Sequence, residues 1–219
     1  MSRLVLLDLD NTLIDRHGAV ADWVAEFCTA RQLPAETVLH MTGLLRERAV
    51  PETFESLQRN LGLAELPAAL WDAYVTGLAA RVTCTTETLT RLDLLRTAGW
   101  AVGVLTNGAA DIQRAKLASA GLLDHVDAVC ISEEVGARKP DPEAFRMAAA
   151  LCGHELPGDA WMVGDDPVTD IAGASTAGLR TIWISAGNAW TNPGLTPDHV
   201  AQTAVDSADF LLGLPESAR

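Results

Sequence analysis

Two aspartates, Asp8 and Asp10, stand two residues apart where the first apolar run of the chain ends, in Arg3-Leu4-Val5-Leu6-Leu7-Asp8-Leu9-Asp10-Asn11-Thr12-Leu13. Val5, Leu6 and Leu7 read as a short buried strand. Alternate strand residues share a face, so both carboxylates project to one side just where the strand stops. Carboxylates converging in this way repel each other unless a cation or a proton lies between them. The same end of a strand is where ligands bind in open α/β sheets. Two solvated acids opening a turn are the competing reading of this pair taken alone.

Three further segments carry groups of complementary chemistry. Thr106-Asn107-Gly108 follows a second apolar run and offers a hydroxyl and backbone N–H groups at the entry to a helix, a setting that suits an anion. An ordinary capped turn explains that segment equally well. Ser132-Glu133-Glu134-Val135-Gly136-Ala137-Arg138-Lys139-Pro140-Asp141-Pro142 holds Lys139 between a loop and a proline-started helix, a fixed place for an otherwise flexible cation. Trp161-Met162-Val163-Gly164-Asp165-Asp166 ends another apolar run with acids, and Asp170 follows. Gly164 permits close backbone approach, and Asp165 supplies the third hard oxygen ligand that a Mg²⁺ site wants. Together the segments present paired acids, a hydroxyl with N–H groups, a cation and a further acid. Phosphoryl transfer calls for this inventory: a nucleophile, a metal and positive groups for the equatorial oxygens.

The elements that must position these residues follow an alternating pattern. Strands are expected over 100–105, 126–131, 160–163 and 180–184, and helices over 87–98, 109–120, 142–151 and 170–177, with Gly99 and Gly121 as helix stops. Strands alternating with helices imply a doubly wound parallel sheet. Residues 15–82 carry apolar residues at helical spacing, as in Val20-Ala21-Asp22-Trp23-Val24-Ala25-Glu26-Phe27-Cys28. The expected organisation is therefore an α/β core over 1–14 and 83–219, broken after its first strand by a helical insertion over 15–82. Residues 188–197 read as a loop, and 204–212 as a last short strand or helix.

At 219 residues with 48% hydrophobic content, the chain is long enough for one sizeable core. A net charge of −13 speaks against non-specific binding to nucleic acid or to an anionic membrane. A small phosphorylated substrate remains compatible with that charge, because a metal and one or two cations make a local positive site. Cys28, Cys84, Cys130 and Cys152 show no CxxC pairing and read as reduced thiols. No leader and no apolar span is read in the chain, so a cytoplasmic protein is expected.

The four segments resemble the signatures of the haloacid dehalogenase superfamily, in its phosphatase branch. Asp8-Leu9-Asp10-Asn11-Thr12-Leu13, Thr106-Asn107-Gly108, Arg138-Lys139-Pro140-Asp141 and Gly164-Asp165-Asp166-Pro167-Val168-Thr169-Asp170 carry the likeness, in the family's order. The resemblance implies a Rossmann-like core with an α-helical cap formed by the insertion. It implies that Asp8 is the nucleophile forming an aspartyl-phosphate, and that Asp10 is the general acid and then the base. It further implies that Asp8, the backbone carbonyl of Asp10 and Asp165 hold Mg²⁺, and that Thr106, the Asn107 N–H and Lys139 meet the phosphoryl group. Asp170 would support Lys139 or a metal-bound water, and Asp166 would be a solvated neighbour.

The expected activity is hydrolysis of a small phosphomonoester. A sugar-phosphate mutase or 2-haloacid dehalogenase of the same fold, and a non-catalytic binding module, are the alternatives. Asp10 favours phosphate over the dehalogenases, whose first signature lacks that second acid. Within the insertion, Arg46 and Arg48 could reach a substrate anion, but a solvated helix face is the better reading. His17 fits a hinge position, and Trp23, Phe27 and Trp71 fit helix packing. A monomer and a homodimer are both compatible with the sequence.

Overall fold

Strand β1 (Arg3–Leu7) is buried from Leu4 onward. In the computed structural model, which describes residues 3–47 and 49–215, it lies inside a six-stranded sheet. The chain continues through α1 (Arg16–Ala30), α2 (Ala35–Glu47), α3 (Pro51–Leu61), α4 (Pro67–Ala79), α5 (Thr86–Thr97), β2 (Trp100–Thr106) and α6 (Ala110–Ser119). There follow β3 (Ala128–Ile131), α7 (Ser132–Val135), α8 (Pro142–Leu151), β4 (Ala160–Gly164), α9 (Gly173–Ala177), β5 (Arg180–Ile184), β6 (His199–Ala201) and α10 (Ala204–Leu212). Among the described residues, no helix is long and apolar enough to cross a membrane.

The strand order is β3-β2-β1-β4-β5-β6, and every pairing is parallel. This is the expected doubly wound α/β arrangement, with strand order reversing direction beside β1. Leu7 pairs in register with Val104 on one side and Val163 on the other. The chain therefore leaves β1 and β4 at one level, at the point where the topology switches and the connections diverge to leave a crevice. Helix α8 covers this region through Ala144, Ala148 and Ala149, whose small side chains let it approach Leu4, Leu6, Leu105 and Cys130 closely.

By its internal contacts the chain forms two compact units. One comprises residues 3–14, Cys84–Ala110 and 121–215; the other comprises Asp15–Thr83 and Asp111–Ala120. The helical unit is centred on aromatic rings. Trp23 stacks on Phe27 at 4.8 Å, meets Tyr74 edge-on at 5.0 Å, and Phe54 meets Trp71 at 5.6 Å. These rings are core, as their spacing suggested. The N-terminal turn of α6 joins this unit through the Trp71 indole N–H, which donates to Asp111 Oδ2 at 2.6 Å.

Several boundaries differ from the sequence reading for local reasons. The strand expected over 126–131 begins at Ala128, because Asp127 exchanges hydrogen bonds with Val102 through its N–H and its carboxylate. The helix expected over 170–177 starts earlier, as a π-helical turn at Pro167–Ala172, before α9 begins at Gly173. The segment over 204–212 is a helix, preceded by a short edge strand, β6, that the pattern did not reveal. Gly99 and Gly121 take positive φ values of 83° and 69°, as helix stops require.

Candidate active site at the strand ends

Immediately after β1 the chain makes a tight turn. Asn11 lies in the left-handed region at φ 62° and its N–H donates to Ile14 O at 2.7 Å, while the N–H groups of Leu13 and Ile14 both donate to Leu9 O. Asparagine tolerates this conformation better than most residues. The turn fixes the backbone on both sides of Asp10, while the Asp8 N–H donates to Val163 O at 2.9 Å and ties the first acid to β4. Asp8 is buried and Asp10 half-buried.

Lys139 lies buried among acids. Its Nζ donates to Asp8 Oδ1 at 2.5 Å and to Leu105 O at 2.8 Å, and pairs with Asp170 Oδ1 at 2.7 Å. Burial alone would lower the pKa of such an ammonium, but Asp170 and Asp8 overcome that effect and hold it above the ordinary lysine value. The lysine is charged at any physiological pH. Its backbone is held by the Asn107 side chain, which accepts from the Lys139 N–H at 2.9 Å and donates to the Lys139 carbonyl at 2.9 Å. Asp141, capping α8 through the Glu143 N–H, anchors the same loop from the other end.

Carboxylate oxygens of Asp8, Asp165 and Asp170 lie within 4.8 Å of one another. Three carboxylates facing one ammonium leave two negative charges uncompensated when all are ionised. Hard oxygen donors with that surplus charge fit a hard divalent cation. The carboxyls register the crowding. Burial raises Asp8 well above the ordinary aspartate value, Lys139 opposes this, and Asp170, Asp165 and Asp10 add to it. Burial, then Asp170 and Asp166, push Asp165 up to about 7 against the pull of Lys139.

Asp170 is 1% exposed, and its Oδ2 accepts from the Asp166 N–H at 3.1 Å. A Cβ on Gly164 would sit 2.2 Å from that oxygen and 2.4 Å from Asp170 Cγ, so only glycine leaves room for the acid. Gly164→Ala should therefore displace Asp170 and loosen Lys139, costing about 1–3 kcal/mol by denaturant unfolding, the usual range for overpacking. An unchanged unfolding midpoint would refute that account. Asp166 is more than a solvated neighbour. Its Oδ1 accepts from the N–H groups of Val168 and Thr169 at 2.8 and 2.7 Å, capping the π-helical turn that carries Asp170.

Thr106 is buried at the end of β2, paired in register with Ile131, and Asn107 is half-buried beside it. Two neighbouring N–H groups are committed elsewhere. Gly108 N–H donates to Ser132 Oγ at 3.0 Å, and Ala110 N–H to Glu133 Oε2 at 2.8 Å. The sequence reading missed both partners. Ser132 and Glu133 belong to the four-residue helix α7, too short to show a period. It also missed the Asn107 side-chain clamp, which joins residues 32 positions apart.

The structure thus brings Asp8, Lys139, Asp165 and Asp170 together, with Asp10 near enough to act on Asp8 and with Thr106 and Asn107 on the loop whose side chain holds Lys139. Of the residues read from the insertion, Arg46 directs Nη2 to His17 O at 3.4 Å, while Arg16 donates to the carbonyls of Leu45 and Arg46. These bonds tie α1 to α2, an observed structural use for Arg46 and the His17 backbone. Arg48 lies outside the described residues.

The sequence matches the model of the haloacid dehalogenase-like hydrolases over residues 3–178. A phosphoserine phosphatase from Thermus thermophilus is 48% identical over 104 residues, 47% of this chain and 41% of that protein. This chain therefore matches less than half the length of that relative. A phosphoglycolate phosphatase from Cereibacter sphaeroides is 33% identical over 196 residues, covering 84% of this chain and 85% of that one. Among solved structures, the HAD-hydrolase YfnB from Bacillus subtilis, whose crystal form is bound to magnesium, has a similar fold. Its TM-score is 0.77 at 21% identity, over 97% of this chain and 99% of that one.

Proposed function

The chain belongs to the haloacid dehalogenase-like hydrolase family, and from that premise we propose that it hydrolyses small phosphomonoesters with Mg²⁺, through an aspartyl-phosphate formed on Asp8. The observation that carries this reading is the buried Lys139 ammonium shared between Asp8 and Asp170 at the switch point of the sheet. The phosphatase names of its relatives support it.

The proposed steps use the groups already placed. A carboxylate oxygen of Asp8 attacks phosphorus while the bond from phosphorus to the ester oxygen breaks, and the Asp10 carboxyl protonates the departing alkoxide. Asp10, now a carboxylate, takes a proton from water, whose oxygen attacks the same phosphorus and releases inorganic phosphate and the Asp8 carboxylate. Lys139 opposes protonation of Asp8 and offsets charge on the phosphoryl oxygens, with the Thr106 hydroxyl and the Asn107 N–H as further donors. Asp8, Asp165 and the Asp10 backbone carbonyl, with Asp170 in support, would hold Mg²⁺, which would supply the positive charge that lets carboxylate and phosphate approach. Substrate choice is assigned to the helical unit, where the family keeps its cap. The cysteines are free, and burial raises Cys84, Cys130 and Cys152 to about 11, which keeps these three as unreactive thiols.

Turnover of p-nitrophenyl phosphate and of a panel of phosphorylated metabolites, with and without EDTA, tests the proposal. Activity should vanish with EDTA and return with MgCl₂; activity indifferent to EDTA removes the metal from the mechanism. Halide release from 2-haloacids would instead favour the dehalogenase chemistry of the fold.

A pH dependence follows from Asp165. In the metal-free protein its carboxyl keeps a proton up to about pH 7, whereas an unfolded aspartate releases it near pH 4. Between those values the native state binds more protons, so the Asp165 contribution to stability falls as pH rises through this window and is level above it. Cation binding requires the ionised form, so the Asp165 carboxyl alone should strengthen Mg²⁺ affinity about tenfold per unit as pH rises towards 7. Calorimetric Mg²⁺ titrations at pH 6, 7 and 8 read this directly, and a pH-independent affinity would contradict it.

A further inference from the structure

Trp183 lies on β5, paired in register with Gly164, the residue before Asp165. Its ring is buried, and its indole N–H donates to the Asp165 backbone carbonyl at 2.8 Å. A second tryptophan braces it. Trp190 meets Trp183 edge-on at 5.0 Å, and its own N–H donates to the carbonyls of Asn192 and Leu195 at 2.6 and 2.8 Å. The loop between β5 and β6 is thereby folded around Trp190, while Asp198 accepts from the N–H and hydroxyl of Thr181 and anchors its far end. Asp165 is half-buried and contributes one carboxylate to the acidic triad. The peptide that Trp183 holds joins Asp165 to Asp166, and its N–H, that of Asp166, donates to Asp170 Oδ2, so the one plane sets the backbone of Asp165 and the seat of Asp170 together.

We propose that Trp183 is a positioning residue for the divalent cation: its indole N–H fixes the Asp165 peptide, and so sets how tightly Asp8 and Asp165, with Asp170 in support, bind Mg²⁺. The inference rests on the metal reading of that triad. Trp183 touches neither cation nor substrate. Its effect falls on affinity for the ion, and the chemical step at saturating Mg²⁺ proceeds as before. Preorganisation of this kind lowers the cost of assembling the donor set without adding a ligand.

The test is calorimetric titration of MgCl₂ into the EDTA-stripped full chain and its variants. Trp183→Phe keeps the ring and deletes the donor, and should weaken Mg²⁺ binding about fivefold, the equivalent of one neutral hydrogen bond. Its kcat at saturating Mg²⁺ should stay within about twofold of the wild-type value, a split between ion affinity and turnover that a merely structural role would not produce. A folded Trp183→Phe protein with wild-type Mg²⁺ affinity overturns the proposal.

A second measurement needs no substitution. In ¹⁵N spectra, the Trp183 indole N–H resonance should shift saturably with Mg²⁺ at the calorimetric Kd, and a resonance that stays put at saturation overturns the proposal as well. Asp165→Asn separates the two levels of the argument. If it binds Mg²⁺ like the wild type, the triad reading fails and takes this inference with it. If Asp165→Asn loses the ion while Trp183→Phe does not, the role of Trp183 alone is refuted.

Discussion

Replacing Asp8 with asparagine should abolish phosphomonoester turnover, by at least ~1,000-fold, while leaving a folded protein. The amide matches the carboxylate in size but offers no negative oxygen to attack phosphorus. It also changes the charge balance of the site in a favourable direction. Asp8 is held well above its ordinary pKa by burial and by three neighbouring acids, so a neutral group there removes repulsion from the native state. Lys139 keeps its 2.7 Å pair with Asp170 and its bond to Leu105 O. Unfolding free energy in the absence of metal should therefore stay within about 1 kcal/mol of the wild type or rise. Circular dichroism melts paired with a phosphate-release assay make the comparison. Normal turnover would show that Asp8 is not the nucleophile, and a collapsed fold would show that its charge is structural.

Lys139→Met should have the opposite signature, with stability and activity falling together. The methionine fills much of the same volume but leaves Asp8 and Asp170 facing each other in the interior with no cation between them. Both are buried, and the side chains of Lys139 and Asp170 are each 2% exposed. Removing one partner from such a buried pair costs about 3–5 kcal/mol, because the remaining charge is uncompensated. Turnover should drop by ~100- to 1,000-fold through the lost charge on the phosphoryl group. Added Mg²⁺ should recover part of the stability and little of the activity, since it can offset charge in the triad but cannot replace an ammonium bonded to the nucleophile. Guanidinium unfolding with and without MgCl₂ measures both. A variant as stable as the wild type without metal would mean that the acids are protonated in the native state.

The acids that meet at the candidate site were legible in the sequence where they close an apolar run whose length and period betray a strand. Asp8 and Asp165 are marked in this way by Leu4–Leu7 and Ala160–Val163, and the parallel sheet follows from the alternation of these runs with helices. Lys139 was legible through the prolines that stiffen its loop. What could not be read were bonds made by side chains to distant backbone. The Asn107 clamp on Lys139, the Ser132 and Glu133 acceptors for Gly108 and Ala110, and the Trp183 bond to Asp165 leave no periodic trace. The π-helical turn at Pro167–Ala172 is of the same kind. It depends on Asp166 capping two N–H groups and on Asp170 accepting a third, so local spacing alone suggested a later start. The three-residue strand β6 is too short for a period to register.

The strand at the heart of the sheet precedes both of its partners in the chain. β1 borders β2 and β4, yet its pairing with β4 needs residues 160–163, and the bond from Lys139 to Asp8 spans 131 positions. During synthesis the nascent β1 must wait, with one edge unpaired, until Ala160–Val163 have been made. Long-range pairings of this sort are slow and expose aggregation-prone edges. Charged residues flanking an apolar strand act in general as gatekeepers against aggregation, and Asp8 and Asp10 stand in that place beside β1. The same carboxylates are thus suited to two demands at different times: solvation of an orphan strand first, and the proposed chemistry once the last partner has arrived.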